Sequence, residues 1–186
     1  MPTILLPSRS IIPVVREISL TNLLAHSNFD ATTDWTAFNA NISVSSNELL
    51  MTATAQYGYT QQTRAITNGR KYYHACWVDS PNASITTALS DNIANTQYVF
   101  HSASSGYEFL SDVYTATAST STGSYYVMLD VRASGWTQVK AKYATIIDLT
   151  AAFGAGYEPT KAQMDALMEQ FPNRHFTGTV NALYEG

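Results

Sequence analysis

Between residues 49 and 149 the chain breaks into short runs in which apolar or aromatic side chains alternate with polar ones. The runs cover 49–55, 57–66, 71–79, 85–89, 97–101, 107–114, 125–132 and 136–149. Alternation with a period of two places successive side chains on opposite faces of a strand. Turn residues separate the runs. Asn68-Gly69 tolerates positive φ, Ser80-Pro81-Asn82 interrupts a ladder, and Ser104-Ser105-Gly106 and Ser134-Gly135 reverse the chain. The stretch 115–124 is almost entirely Thr, Ala and Ser and reads equally as a loop or an edge strand. About eight strands with no helical pattern between them predict an all-β, antiparallel β-sandwich over residues 21–150. Jelly-roll and immunoglobulin-like connectivities look alike at this level. Composition points the same way. Ser and Thr number 41 and the aromatics 22, while only 13% of residues are charged. Branched and aromatic side chains suit a pleated, half-buried surface.

Charge placement excludes several functions. No Lys or Arg occurs between Tyr72 and Val131, where Asp79, Asp91, Glu108, Asp112 and Asp130 all lie. Nucleic-acid binding needs clustered cations that displace counterions from phosphate, so no nucleic-acid partner is expected. No run of about 20 apolar residues is present to span a membrane as a helix. The single cysteine, Cys76, lies in the 71–79 run with His74 on the same face, which fits a small buried hydrophobe better than a nucleophile. Glycoside cleavage would need a positioned carboxylate pair, and the spacing of Glu48, Glu108, Asp112 and Asp130 nominates none. His26, His74, His101 and His175 have no nucleophile motif beside them. The chain is therefore expected not to be an enzyme. Trp35 and Trp77 are expected in the core.

The two ends follow other rules. Residues 1–20 carry Ile4, Leu5, Leu6, Ile11, Ile12, Val14 and Val15, interrupted by Pro2, Pro7 and Pro13. Proline fixes φ and removes a backbone donor, so this segment is expected as an extended N-terminal arm. Its apolar residues need cover, from a neighbouring subunit or from their own domain. No signal-peptide pattern is read there. In the 151–186 segment, Thr160 and Gln163 form a capping box. Met164, Leu167, Met168 and Phe171 then make one apolar stripe that Pro172 ends. A helix of about three turns is too short to stand alone and must dock.

Two resemblances extend this reading. Asn22-Leu23-Leu24, Asn28-Phe29-Asp30 and Trp35, followed by Gly69-Arg70-Lys71-Tyr72-Tyr73 and Trp77-Val78-Asp79, resemble the opening and middle strands of carbohydrate-binding-module-like jelly rolls. That resemblance implies a sugar-binding surface, for which Tyr57, Tyr59, Tyr107 and Trp136 are the candidates, with Tyr72 and Tyr126 behind them. It also implies a structural calcium held by Asp30 and Asp148. The second set is Ile147-Asp148-Leu149-Thr150, Phe153-Gly154-Ala155-Gly156, Glu158-Pro159-Thr160, Met164, Phe171-Pro172 and Phe176 with Gly178. It is similar to a closing segment of tail and other structural proteins of bacteriophages and prophages of Gram-positive bacteria. Tyr157 stands where that family often has Asn. In it Gly154 and Gly156 would let the chain reverse, Phe153 would anchor the turn, and Glu158 would sit at the helix N-terminus. Together the two resemblances imply a virion protein that acts by attachment. Its partners would be other virion proteins, further copies of itself (a trimer by family analogy) and a cell-surface glycan. A tail, baseplate or receptor-binding place comes first, a capsid decoration or head fibre second, and a free secreted glycan-binding module third.

Overall fold

The computed structural model describes residues 15–55, 58–80, 85–90, 96–102, 106–129 and 138–185. Most strands belong to two five-stranded antiparallel sheets. In chain order the strands are β1 (Val15–Thr21), β2 (Thr36–Phe38), β3 (Ala40–Ser45), β4 (Glu48–Ala53), β5 (Tyr59–Ile66) and β6 (Lys71–Asp79). β7 (Ile85–Ser90), β8 (Thr96–Phe100), β9 (Tyr107–Thr115), β10 (Thr120–Leu129) and β11 (Gln138–Asp148) follow. Helices α1 (Leu149–Phe153) and α2 (Lys161–Met168) precede β12 (Thr179–Glu185). Sheet I has the order β2-β5-β10-β7-β8 and sheet II the order β3-β4-β11-β6-β9, while β1 and β12 pair with each other. The expected antiparallel jelly-roll-type sandwich with a short C-terminal helix is the observed fold.

Consecutive strands often change sheet. β4 lies in sheet II and β5 in sheet I, and the Asn68-Gly69 turn then returns the chain to sheet II as β6. Gly69 has φ +78°, the conformation that turn requires. The β3–β4 hairpin turns at Ser46 and Asn47, both at positive φ, the type I′ geometry that matches strand twist.

Sheet II is covered on both faces. Between the sheets lie Leu49, Met51, Tyr72, Cys76, Val78, Leu110, Tyr114, Val139 and Ile146, with Ile66 and Leu89 from sheet I. On the far side, Tyr73, Ala75 and Ile147 pack against Ile18 and Leu20 of β1, Leu149 and Phe153 of α1, Met164, Leu167 and Met168 of α2, and Tyr184 of β12. The molecule thus has three layers. Double cover explains why β6 is buried almost continuously although its sequence merely alternates. The arm expected over residues 1–20 enters the described fold at Val15 as a paired strand, with Val15 opposite Glu185 and Thr21 opposite Thr179. Ile4, Leu5, Leu6, Ile11, Ile12 and Val14 lie outside the described residues.

A plug closes one end of the sandwich. Asn22 is buried, and its amide donates to the carbonyls of Ala144 (3.1 Å) and Phe176 (3.0 Å). Its side-chain oxygen accepts from the amides of Leu24 (3.2 Å) and Ile146 (3.1 Å). Leu24, Phe29 and Trp35 then enter the core, Phe29 and Trp35 with ring centroids 4.8 Å apart. Opposite, β11 bulges between Lys142 and Thr145, with Tyr143 at φ +58°.

Trp77 departs from expectation. It is half-buried on the outer side of sheet II, against Phe109, where its indole donates to the carbonyl of Asn173 (2.9 Å). The helix is shorter than three turns, and Phe171 lies just past its end, packed on Phe176. Among the described residues, no helix is long and apolar enough to cross a membrane.

Candidate functional site

With sheet II covered on both sides, the outer face of sheet I is the broad surface that no other described element covers. On β5, Thr60, Gln62 and Ile66 point inward and are buried, so Tyr59, Gln61, Thr63 and Ala65 take the outer side. On β8, Val99 packs toward the core, which turns Tyr98 and Phe100 outward. Phe38 on β2 completes the set.

Register aligns these residues. Phe38, Tyr59, Met128, Thr86 and Phe100 are successive pairing partners across all five strands. The next row is Thr36, Gln61, Tyr126, Ala88 and Tyr98. Neither row contains a charged residue. Phe38 and Tyr59 stack at one edge, with ring centroids 5.2 Å apart and planes 23° apart. Tyr98 and Phe100 stack at the other edge, at 6.1 Å and 24°. Phe38 is 52% exposed, Tyr98 45% and Phe100 54%. At a strand spacing of about 4.8 Å, the row from Phe38 to Phe100 spans roughly 19 Å. Exposed aromatic rings gathered on one uncharged face mark a binding surface more often than scattered apolar residues do. Such rings offer flat apolar faces, and Gln61 and the threonines supply hydrogen-bonding groups beside them.

The residues nominated from sequence are scattered. Tyr59 is part of this face. Tyr57 and Trp136 lie outside the described residues. Tyr107 is half-buried at the start of β9 in the other sheet, where its hydroxyl donates to Glu48 and Lys142 Nζ sits 4.6 Å over its ring. Burial first, then the adjacent Glu48, pushes the Tyr107 phenol well above its usual range. Partial burial pushes the Glu48 carboxyl up. Hydrogen bonds from Tyr107 and Lys142 outweigh that and leave it below its usual range. Tyr72 is buried in the sandwich core and presents no ring to a ligand. For Tyr126 only the register position is described.

The two carboxylates implied for calcium have separate local roles. Asp148 caps α1, one oxygen accepting from the amide of Ala151 (2.9 Å) and the other from Arg70 (2.7 Å). Asp30 lies 2.8 Å from His26 Nδ1, and that hydrogen bond lowers its pKa. Calcium requires six to eight oxygens. Among the described residues, no group of three or more His, Cys, Asp or Glu is placed to hold a metal. A calcium at Asp148 would compete with the cap and the arginine for its two oxygens. The described residues do not fit that ion.

The closing segment is held by its own polar network. Glu158 accepts from Thr150 (2.8 Å) and the amide of Gly156 (2.9 Å), with Lys71 3.6 Å away. Backbone and Thr150 hydrogen bonds keep its carboxyl below the usual range. Its work is therefore to fix the turn after α1. Gly154 and Gly156 do reverse the chain at positive φ, and Phe153 anchors in the outer core. Thr160 and Gln163 form the expected capping box. Ser27 and His175 meet at 3.0 Å, but Ser27 is fully buried and burial pushes His175 down to about 4. That pair supports the bulge of β11, where Tyr143 packs on the His175 ring.

This architecture recurs among solved structures. A family 4 carbohydrate-binding module superimposes with a TM-score of 0.52 at 13% identity, over 67% of this chain and 98% of that one. The fold is a β-sandwich like that of carbohydrate-binding modules. The N-terminal cellulose-binding domain of Cellulomonas fimi β-1,4-glucanase C gives a TM-score of 0.51 at 15% identity, over 65% and 92% of the two chains. The enzymatically active domain of bacteriophage CBA120 tailspike protein 4 gives 0.51 at 12% identity, over 68% of this chain but only 21% of that one. No protein-family model matches the chain, and no curated protein does. At these identities the likeness is one of fold.

Phe38, Tyr98 and Phe100 were not singled out by their sequence context. For Tyr98 and Phe100 a signal exists. They flank Val99 in a strand-like run, so one aromatic pair must share a face.

Proposed function

We propose that this chain is a bacteriophage virion structural protein whose sandwich binds glycan through the outer face of sheet I, without catalysis. The observation that carries the glycan reading is the two stacked aromatic pairs at opposite edges of two uncharged rows on the outer face of sheet I. Sugar rings present C–H faces that pack on aromatic planes, and their hydroxyls would meet Gln61 and neighbouring threonines. The virion reading rests on the closing segment, residues 147–178, and on the apolar arm. Ile4, Leu5 and Leu6 would contact a neighbouring subunit, with homo-oligomerisation following from that contact. A tail or receptor-binding position is preferred, with a head-surface decoration as its structural rival. A free glycan-binding module is a second reading, favoured by the near-complete overlap with an isolated module.

Replacing both Tyr98 and Phe100 by Ala should weaken binding to insoluble cell-wall polysaccharide by about tenfold or more in Kd, because each lost stacking platform is worth about 1 kcal/mol. Unchanged affinity in a folded variant would remove this face from the site. Mass spectrometry of purified particles should find the chain. Its presence only in culture supernatant would leave the free-module reading.

A further inference from the structure

A second surface feature lies on the opposite side of the molecule from the aromatic row. A groove of about 450 Å³ runs between α2 and the paired ends of β1 and β12. Val15, Ala166, Leu167, Leu183 and Tyr184 line it. Val15 is 50% exposed and Leu183 59%, although both strands pack their other faces into the outer core.

Val15 is also the first described residue, so the preceding chain reaches this groove whatever route it takes. That chain reads Ile11-Ile12-Pro13-Val14. Four residues span at most about 14 Å, so all three apolar side chains stay within reach of the groove. We propose that Ile11, Ile12 and Val14 fold back into this groove of their own chain, covering Val15 and Leu183 and closing the outer layer. A tether this short holds the segment at an effective concentration in the millimolar range, which a second copy would have to exceed. Docking in cis at Ile11–Val14 leaves Ile4, Leu5 and Leu6 beyond Pro7 for an outside partner. The proposal stands apart from glycan binding and can fail without affecting it.

Cysteine cross-linking of the full chain tests it. Cys76 is buried and does not compete. Ala166→Cys would be combined in turn with Ile11→Cys, Ile12→Cys and Val14→Cys, and each protein oxidised. At least one pair should give an intramolecular disulfide at a rate independent of protein concentration. Cross-linked dimers, or no cross-link in any of the three, would overturn the proposal. Because a cysteine pair can perturb the site, Ile11→Asp with Ile12→Asp gives a second reading. It should raise amide exchange at least about tenfold across β12 and the end of α2 and leave sheet I unchanged. Identical exchange in both regions would also overturn it.

Discussion

Asn22 shows how much one side chain can organise. Its amide makes all four of its hydrogen bonds to backbone, joining the end of β1 to the bulge in β11 and to the segment before β12. The cooperation is chemical, since only a primary amide offers two donors beside an acceptor with two lone pairs. Asn22→Leu keeps the branched shape, though with bulkier methyl groups, and strands two carbonyls and two amides in a buried setting. Each such group costs about 1 to 3 kcal/mol, and partial relaxation should leave a loss of about 3 to 5 kcal/mol in urea unfolding. Asn22→Asp should be comparably damaging, because a carboxylate cannot donate to the carbonyls of Ala144 and Phe176. A loss below about 1 kcal/mol for either variant would show that water or a rearranged loop replaces the amide.

At the scale of elements, what was legible in the sequence follows what is local. Strand β6 matches the 71–79 run because its alternation, its Gly69 turn and its Pro81 stop are all encoded within a dozen residues. The start of α2 was legible for the same reason, through Thr160 and Gln163. β1 and β12 were not. They pair residues as distant as Val15 and Glu185, and a short alternation at each end of the chain does not say which strand it pairs with. The β3–β4 hairpin was hidden because Ser46 and Asn47 adopt the positive φ usually advertised by glycine. Within 115–124, strand β10 begins only at Thr120. The site followed the same division. Alternation at Tyr98 and Phe100 was visible, but which face lies open depends on β1, β12 and the helices covering sheet II. The docking of α2 was likewise a tertiary matter. Asp165 accepts from Tyr73 (2.7 Å) and Ser111 (2.8 Å), both on sheet II. Asp165→Ala leaves the buried Tyr73 hydroxyl without that acceptor and should cost about 2 kcal/mol. Tyr73→Phe in the same background should recover part of it, and a double-mutant cycle should return a coupling of about 1 to 2 kcal/mol. Zero coupling would mean that the apolar stripe of Met164, Leu167 and Met168 holds the helix by itself.

The whole molecule is built by stacking two cores on either side of sheet II, and both cores have a histidine near them that burial keeps neutral. His74 lies between the sheets, opposite Asp112 in register, and desolvation pushes it down to about 4 against a partial upward pull from Asp112. His175 supports the plug and is likewise pushed down to about 4 by burial. In the unfolded chain both would titrate near 6.5. Above that pH neither state binds the proton and the contribution is complete. As pH falls from about 6.5 toward 4, the unfolded chain gains protons the folded chain refuses, so stability is lost through that window. A shift of this size corresponds to at most about 3 kcal/mol per histidine. The carboxylates held low, Glu48 and Glu158 among them, add their own loss as pH falls further, below about 4.5. Urea midpoints should therefore be flat from pH 8 to 7, fall between 6.5 and 4, and steepen below. His74→Gln should lower stability at pH 7.5 but remove roughly half of the decline between 6.5 and 4. An undiminished decline in that variant, or a wild-type midpoint that holds to pH 4.5, would show that the buried imidazoles accept protons in the folded state, with the two sheets parting far enough to admit water between them.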